Sequence, residues 1–335
     1  MKIKFTKVQE AALSLMHEDL RFLYTVIKNI DSEESNYIPS LQPYMGVIID
    51  GVEDWIKSFN NSSKVKLDMP IFNELERQYY EKMRDSVKMW QKDYNEIYNI
   101  LKKAYEESDR YFGRVCKPIA KTLKLYDIYG VDRANGIICG NTILCFYYNP
   151  LYSFEDNGEF IKTMEEIGGK YIALMGAVNE YTVNDSIKFD TKDYGGFQKS
   201  PIGNKFSDKF VLFSILCQIN FLIYGVERWI KEETPTKLRF MYLLYYSLLE
   251  LLPQINQKLN TAFKMDCSWE SRDFRNSMAH YKLGVALKKE ELVLDDLLFG
   301  LTIKYFGVSY VDVKNAITAE LENLSHQIEQ YLHLK

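Results

Sequence analysis

Glycine and proline are scarce in this chain, with 17 and 8 among 335 residues. Tight turns are built largely from these two residues, and a β-rich protein of this length needs many of them. The shortage therefore favours long helices. The five cysteines (Cys116, Cys139, Cys145, Cys217, Cys267) form no CxxC pair and are odd in number. That pattern suits buried, reduced thiols in the cytosol rather than a disulfide framework or a zinc site. No strong excess of one charge is present either: the net charge is −4, so the whole-protein field will not steer a polyanion or an anionic membrane, and any such contact must be local. The start, Met1 to Lys7, is positively charged, but no apolar stretch follows it to make a secretory signal.

Nucleotide and hydrolase signatures are missing as well. Gly168-Gly169-Lys170 lacks the upstream glycine and the hydroxyl residue of a phosphate-binding loop, and no GxGxxG or GxSxG occurs. His326 and His333 lie seven apart without an acidic or cysteine partner at ligand spacing, so no metal and no cofactor is expected. Phe210 to Val226 is free of charge over 17 residues. It is at the lower limit for a membrane span and contains Ser214, Gln218 and Asn220, so it reads as a buried helix of a cytoplasmic protein.

What is present is apolar and aromatic material, 47% hydrophobic with 25 Tyr and 19 Phe, enough for a sizeable core. Helical patterns run from about Val8 to Ile30 and from Pro43 to Phe59, with a break at Pro39. The clearest stripe is Ile71, Leu75, Tyr79, Met83, Val87, Trp90, Tyr94, Ile97, Leu101 and Tyr105, at steps of three and four. It predicts one long helix from Pro70 to about Phe112, capped by Asp68 and about 60 Å long if unbroken. Apolar segments follow at Ile119 to Tyr129, Ile137 to Tyr148 and Phe160 to Val178; in the second, strand competes with buried helix. Asn184 to Lys205, with its aspartates, Gly195-Gly196 and Pro201, reads as a surface connection. Helical patterning resumes at Asp208 to Lys231 and at Thr236 to Phe263, where Pro253 is expected to kink or break the helix. A terminal helix covers about Val311 to Leu334. The expected architecture is all-α: an N-terminal helical lobe (1–185) containing the long helix, a connecting loop (186–205) and a C-terminal helical domain (206–335).

One segment carries chemistry: Phe274-Arg275-Asn276-Ser277-Met278-Ala279-His280. Arginine separated from histidine by four to six residues is a weak pattern alone; Asn directly after the Arg and Ala directly before the His narrow it. The segment resembles the signature of the HEPN superfamily of helical ribonucleases, over roughly residues 205 to 335. The resemblance implies a HEPN-like helical bundle and a metal-independent endoribonuclease. It also implies RNA as partner, a homodimer pairing two motifs, and a setting in toxin–antitoxin systems or phage defence, where an antitoxin or other protein can bind.

The same chemistry can be argued from the residues. RNA is cut without metal when its 2′-hydroxyl is deprotonated and attacks the adjacent phosphate, which requires a base, an acid and a cation for the phosphorane. Histidine, with an ordinary pKa of about 6.5, serves as base or acid, and a positioned one contributes about 10²–10⁴ in rate. Arginine grips two phosphate oxygens at once. His280 is thus the candidate acid–base, Arg275 the phosphate ligand and Asn276, four residues before His280 on one helical face, its orienting neighbour. Arg272 is a further candidate phosphate contact. Arg275 and His280 lie about 140° apart on a regular helix, so one helix does not readily aim both at one phosphate; a two-fold dimer would complete the site. The competing reading pairs Arg275 with Glu270 or Asp273 and leaves a non-catalytic HEPN-like scaffold that binds a nucleotide or a protein.

Overall fold

The computed structural model describes residues 5–30, 36–115, 122, 130–148, 157–192, 201–203, 205–281 and 283–334. The chain is predominantly helical, with one small sheet among the described residues. Helix α1 (Lys7–Asn29) starts in a reciprocal cap: Thr6 Oγ1 accepts from the Gln9 amide at 3.3 Å, and the Gln9 side chain accepts from the Thr6 amide at 2.9 Å. Helix α2 (Tyr37–Ser62) is the central element; every residue from Tyr37 to Ile49 is buried. It begins earlier than its prolines suggest. Pro39 falls in the first turn, where a missing N–H leaves no hydrogen bond unmade.

The expected long helix is two helices. Helix α3 (Glu74–Ser86) is capped by Asn73, not Asp68, and α4 (Tyr94–Val115) follows a 3₁₀ turn at Met89–Gln91. Most of the stripe read from the sequence is a buried face, since Tyr79, Met83, Trp90, Tyr94, Ile97 and Leu101 are core residues; Leu75, Val87 and Tyr105 are half-buried, and Ile71, before α3 begins, is exposed. Periodicity could not show the interruption. Asp93 Oδ1 accepts from the Glu96 amide at 2.9 Å and restarts the helix, while Gln254 takes the Tyr94 amide at 2.9 Å. A side-chain cap and a distant glutamine satisfy the backbone groups that a continuous helix would have used internally.

In the ambiguous segment both readings are realised. β1 (Val131–Ala134) and β2 (Ile137–Asn141) form an antiparallel hairpin, and the chain then turns into α5 (Thr142–Tyr148). The hairpin turn is Asn135-Gly136, both at positive φ (49° and 84°), the residue pair such two-residue turns demand. β3 (Phe189–Lys192) pairs on the other side of β1, giving the order β2-β1-β3, so a strand lies inside the expected surface connection. Residues 193–200 of that connection and nearly all of the Ile119 to Tyr129 segment lie outside the described residues.

Helix α6 (Asn157–Met175) packs on α1 and α2. Helix α7 (Asp208–Asn220) continues as a π-helical turn through Glu227; it is apolar and long enough to cross a membrane, but 89% of its most apolar window is buried inside the protein. Helix α8 (Pro235–Leu259) runs through Pro253 without a break. The short helices α9 (Arg272–His280), α10 (Leu283–Ala286) and α11 (Leu301–Phe306) lead to the terminal α12 (Tyr310–Leu332), whose inward face includes Val313, Ile317, Leu321, Leu324, Ile328 and Leu332. Among the described residues one large apolar core joins most of these elements, beside a small cluster of Ala104, Ile143, Phe146 and Phe210. Phe22 of α1, for instance, meets Phe240 of α8 edge to face at 5.8 Å.

Candidate active site

The Arg-Asn-x-x-Ala-His segment forms α9, a helix of nine residues. A helix this short is marginal on its own and depends on what holds its ends and its buried face. Ser271 caps the start, its Oγ accepting from the Phe274 amide at 3.2 Å. The Tyr242 hydroxyl fixes the loop before it, donating to the Trp269 carbonyl at 2.7 Å and accepting from the Ser271 amide at 3.0 Å. Phe274 is fully buried, edge-on to Tyr242 (4.6 Å) and Phe306 (4.9 Å). Met278 is buried on the same side.

The C-terminal end is held by an ionic anchor. Arg239 of α8 is 1% exposed and donates from Nε (2.9 Å) and Nη2 (2.6 Å) to the Met278 carbonyl, one of the helix-end carbonyls that lacks an internal partner. The same guanidinium pairs with Asp19 of α1, fully buried, and lies 4.1 Å from the Tyr281 ring centroid. Asp19 also accepts from Thr236 (2.6 Å) and from the Tyr281 hydroxyl (2.5 Å). Burial pushes the Tyr281 phenol up to about 12 against the opposing pull of Arg239, so it stays a donor. Tyr281 ends α9 in the left-handed region, at φ 38°. That costs a non-glycine residue roughly 1–2 kcal/mol, which burial of the whole aromatic ring offsets. On its other face the ring meets α2 at Gly51, where an added Cβ would stand 2.7 Å from it.

With both ends fixed, the motif side chains are distributed around a rigid helix. His280 remains accessible, 36% by side chain, and its Nδ1 lies 3.7 Å from Oδ2 of Asp54 on α2. Asn276 and Arg272 are exposed, and Asn276 makes no side-chain hydrogen bond to His280. Arg275 is half-buried on a different face. Among the described residues it forms no ion pair with Glu270 or Asp273, and its guanidinium sits 5.2 Å from the Tyr246 ring centroid. Arg275 and Ala279 line a narrow apolar groove of about 50 Å³ with Tyr44, Val47 and Trp90. Asp54 and Tyr281 border a separate cleft of about 540 Å³ between α1 and α2. Helix α2 packs against α9; Arg275 lines the narrow groove, whereas the larger cleft is bordered by the neighbours of His280, Asp54 and Tyr281.

Sequence reasoning passed over Asp19, Arg239, Tyr281 and Asp54. Arg239 had a signal, a lone charge within the apolar run Leu238 to Leu244, where a charge is buried only if paired. Asp54 had none, because it stands among the ordinary surface charges Asp50, Glu53 and Lys57. No protein-family model, curated protein or solved structure matches the chain.

Proposed function

We propose that the protein is a metal-independent endoribonuclease of HEPN type, with His280 as acid–base, Arg275 on the phosphate, and Arg272 and Asn276 as exposed contacts along the RNA backbone. The observation that carries this reading is the setting of His280: a histidine on a rigidly anchored helix end, one-third open to solvent, with a carboxylate beside one ring nitrogen. A carboxylate at that place orients the ring and favours its protonated form. Because Arg275 and His280 diverge around α9, the complete site pairs His280 of one subunit with Arg275 of its two-fold mate. A toxin or phage-defence role follows from the resemblance.

The second reading, a HEPN-like binding scaffold, is favoured by the narrowness of the groove beneath Arg275, about 50 Å³, room for little more than a water or two. Incubating the full chain with mixed RNA in EDTA separates the two. Cleavage that falls at least about a hundredfold in His280→Ala and Arg275→Ala, with both variants folded, supports the nuclease. Equal activity in all three proteins favours the scaffold. Mixing the two variants tests the dimer, since each mixed dimer would rebuild one intact site.

A further inference from the structure

We infer that Asp54, in the N-terminal half of the chain, is the positioning residue of His280, and that the cleft it borders is the side from which a nucleoside-sized part of the substrate reaches the histidine. The inference rests on the nuclease reading and adds to it a residue outside the motif, on a helix that the HEPN resemblance does not cover.

Four observations support it. Asp54 Oδ2 faces His280 Nδ1 at 3.7 Å, and a shift of about 1 Å makes this a charge-assisted hydrogen bond; such contacts commonly tighten when substrate binds. Both side chains are about one-third exposed, 36% for His280 and 34% for Asp54, so the pair sits at the surface, where a substrate can reach it. The backbone on either side is fixed: Tyr281 is locked by Asp19 and Arg239, and α2 lies against it at Gly51, so the carboxylate and the ring do not drift independently. Finally, the cleft that Asp54 and Tyr281 share is about 540 Å³, within the roughly 300–1,000 Å³ of small-molecule sites; the groove under Arg275 is about a tenth of that.

The cleft wall also indicates what enters. It carries Gln9, Ser58 and Ser62 as hydrogen-bonding groups and Trp55 and Phe59 as apolar surface, and Asp54 is the one charged member among the described residues. Neutral donors and acceptors beside aromatic rings suit an uncharged base and ribose. The chemistry then divides sensibly. The nucleoside lies in the cleft, the phosphate stays outside with the arginines, and an Nδ1–H held toward Asp54 leaves the Nε2 lone pair to take the 2′-hydroxyl proton. On protonation the same carboxylate stabilises the imidazolium, which then returns the proton to the leaving 5′-oxygen.

The test uses the full chain labelled with ¹⁵N-histidine, whose four histidines are assigned by single substitution. The ring ¹⁵N shifts of His280 are compared in wild type, Asp54→Asn and Asp54→Glu. The expected result is a neutral His280 ring protonated at Nδ1 in wild type, a loss of that preference in Asp54→Asn, and its return in Asp54→Glu. RNA cleavage should follow, with kcat about tenfold or more lower in Asp54→Asn, KM within twofold, and partial rescue by the glutamate. An unchanged tautomer in Asp54→Asn overturns the inference whether or not RNA is cut. A changed tautomer in a chain that cuts no RNA leaves the positioning intact and removes the nuclease reading. In the uniformly ¹⁵N-labelled full chain, weak binding of a nucleoside, read as amide shifts at Ser58 and Gln9 and lost in Ser58→Trp, supports the cleft. Saturating nucleoside with no shift there overturns that half of the inference.

Discussion

Tyr281 and Asp19 stand 262 positions apart in the chain and meet in the interior, hydroxyl to carboxylate, at 2.5 Å. Arg239 completes the set by pairing with Asp19 and holding the last turn of α9 through the Met278 carbonyl. The residue after the candidate catalytic histidine is therefore fastened to the first helix of the protein. The N-terminal half is part of the frame on which the motif is held.

Removing the two charges together should cost less than the sum of removing each alone. Asp19→Leu leaves a guanidinium buried without its carboxylate and is expected to destabilise the fold by about 3–5 kcal/mol. Tyr281→Phe leaves only an unsatisfied lone pair and should cost about 1–3 kcal/mol. The paired change Asp19→Leu with Arg239→Met removes both charges but orphans the Met278 carbonyl and the Thr236 and Tyr281 hydroxyls, so it stays less stable than wild type while falling short of the summed losses. Urea unfolding of wild type, Asp19→Leu, Arg239→Met and the double variant reads this directly; a double variant as unstable as the sum of its parts would contradict it.

Gly51→Ala probes the approach of α2 to the motif. Alanine favours a helix over glycine by about 1 kcal/mol, so an isolated helix would gain. Here the new methyl would stand 2.7 Å from the Tyr281 ring, and that ring is held by Asp19 and cannot withdraw. Overpacking of this kind costs about 1–3 kcal/mol. The expected net outcome is a loss of up to about 2 kcal/mol in chemical denaturation, with reduced RNA cleavage under the proposed nuclease function as Tyr281 and His280 shift. A stabilised variant would mean that the contact is slack.

Glu76 makes the acid limb of stability testable. Burial raises its pKa, but hydrogen bonds from Lys170 and the Asn73 amide, together with the Lys170 charge, outweigh that and hold it below its ordinary value. A carboxylate depressed in the folded state contributes stability that is fully present above its unfolded pKa, about 4.3, and is lost as pH falls through the folded value. Wild type should therefore exceed Glu76→Gln in unfolding free energy at pH 7, and the gap should narrow below about pH 4. A gap independent of pH would show that the ion pair across α3 and α6 contributes nothing through titration.

Much of the helical content was legible because one-dimensional periodicity reports burial directly. The terminal helix read as Val311 to Leu334 is Tyr310–Leu332, with the expected inward face. The stripe marked core residues from Tyr79 to Leu101, though not the exposed Ile71, while hiding the break between α3 and α4, since a side-chain cap at Asp93 does not disturb a three-and-four pattern. The Asn135-Gly136 pair is a hairpin signal that the sequence reading missed, because the apolar residues after it fit strand and helix equally.

The sequence by itself determined that the protein is helical, and it marked one segment as the candidate for acid–base chemistry, because both rest on local features: the spacing of apolar residues, and an arginine and a histidine close together in the chain. Only the tertiary structure decided which face of that helix meets which cleft and which distant groups stand beside it. Asp54, Asp19 and Arg239 reach the motif from helices hundreds of residues away in the chain or dozens apart. Nothing local marks such a contact, since a buried ion pair is favourable only once the surrounding core has excluded water and fixed both partners.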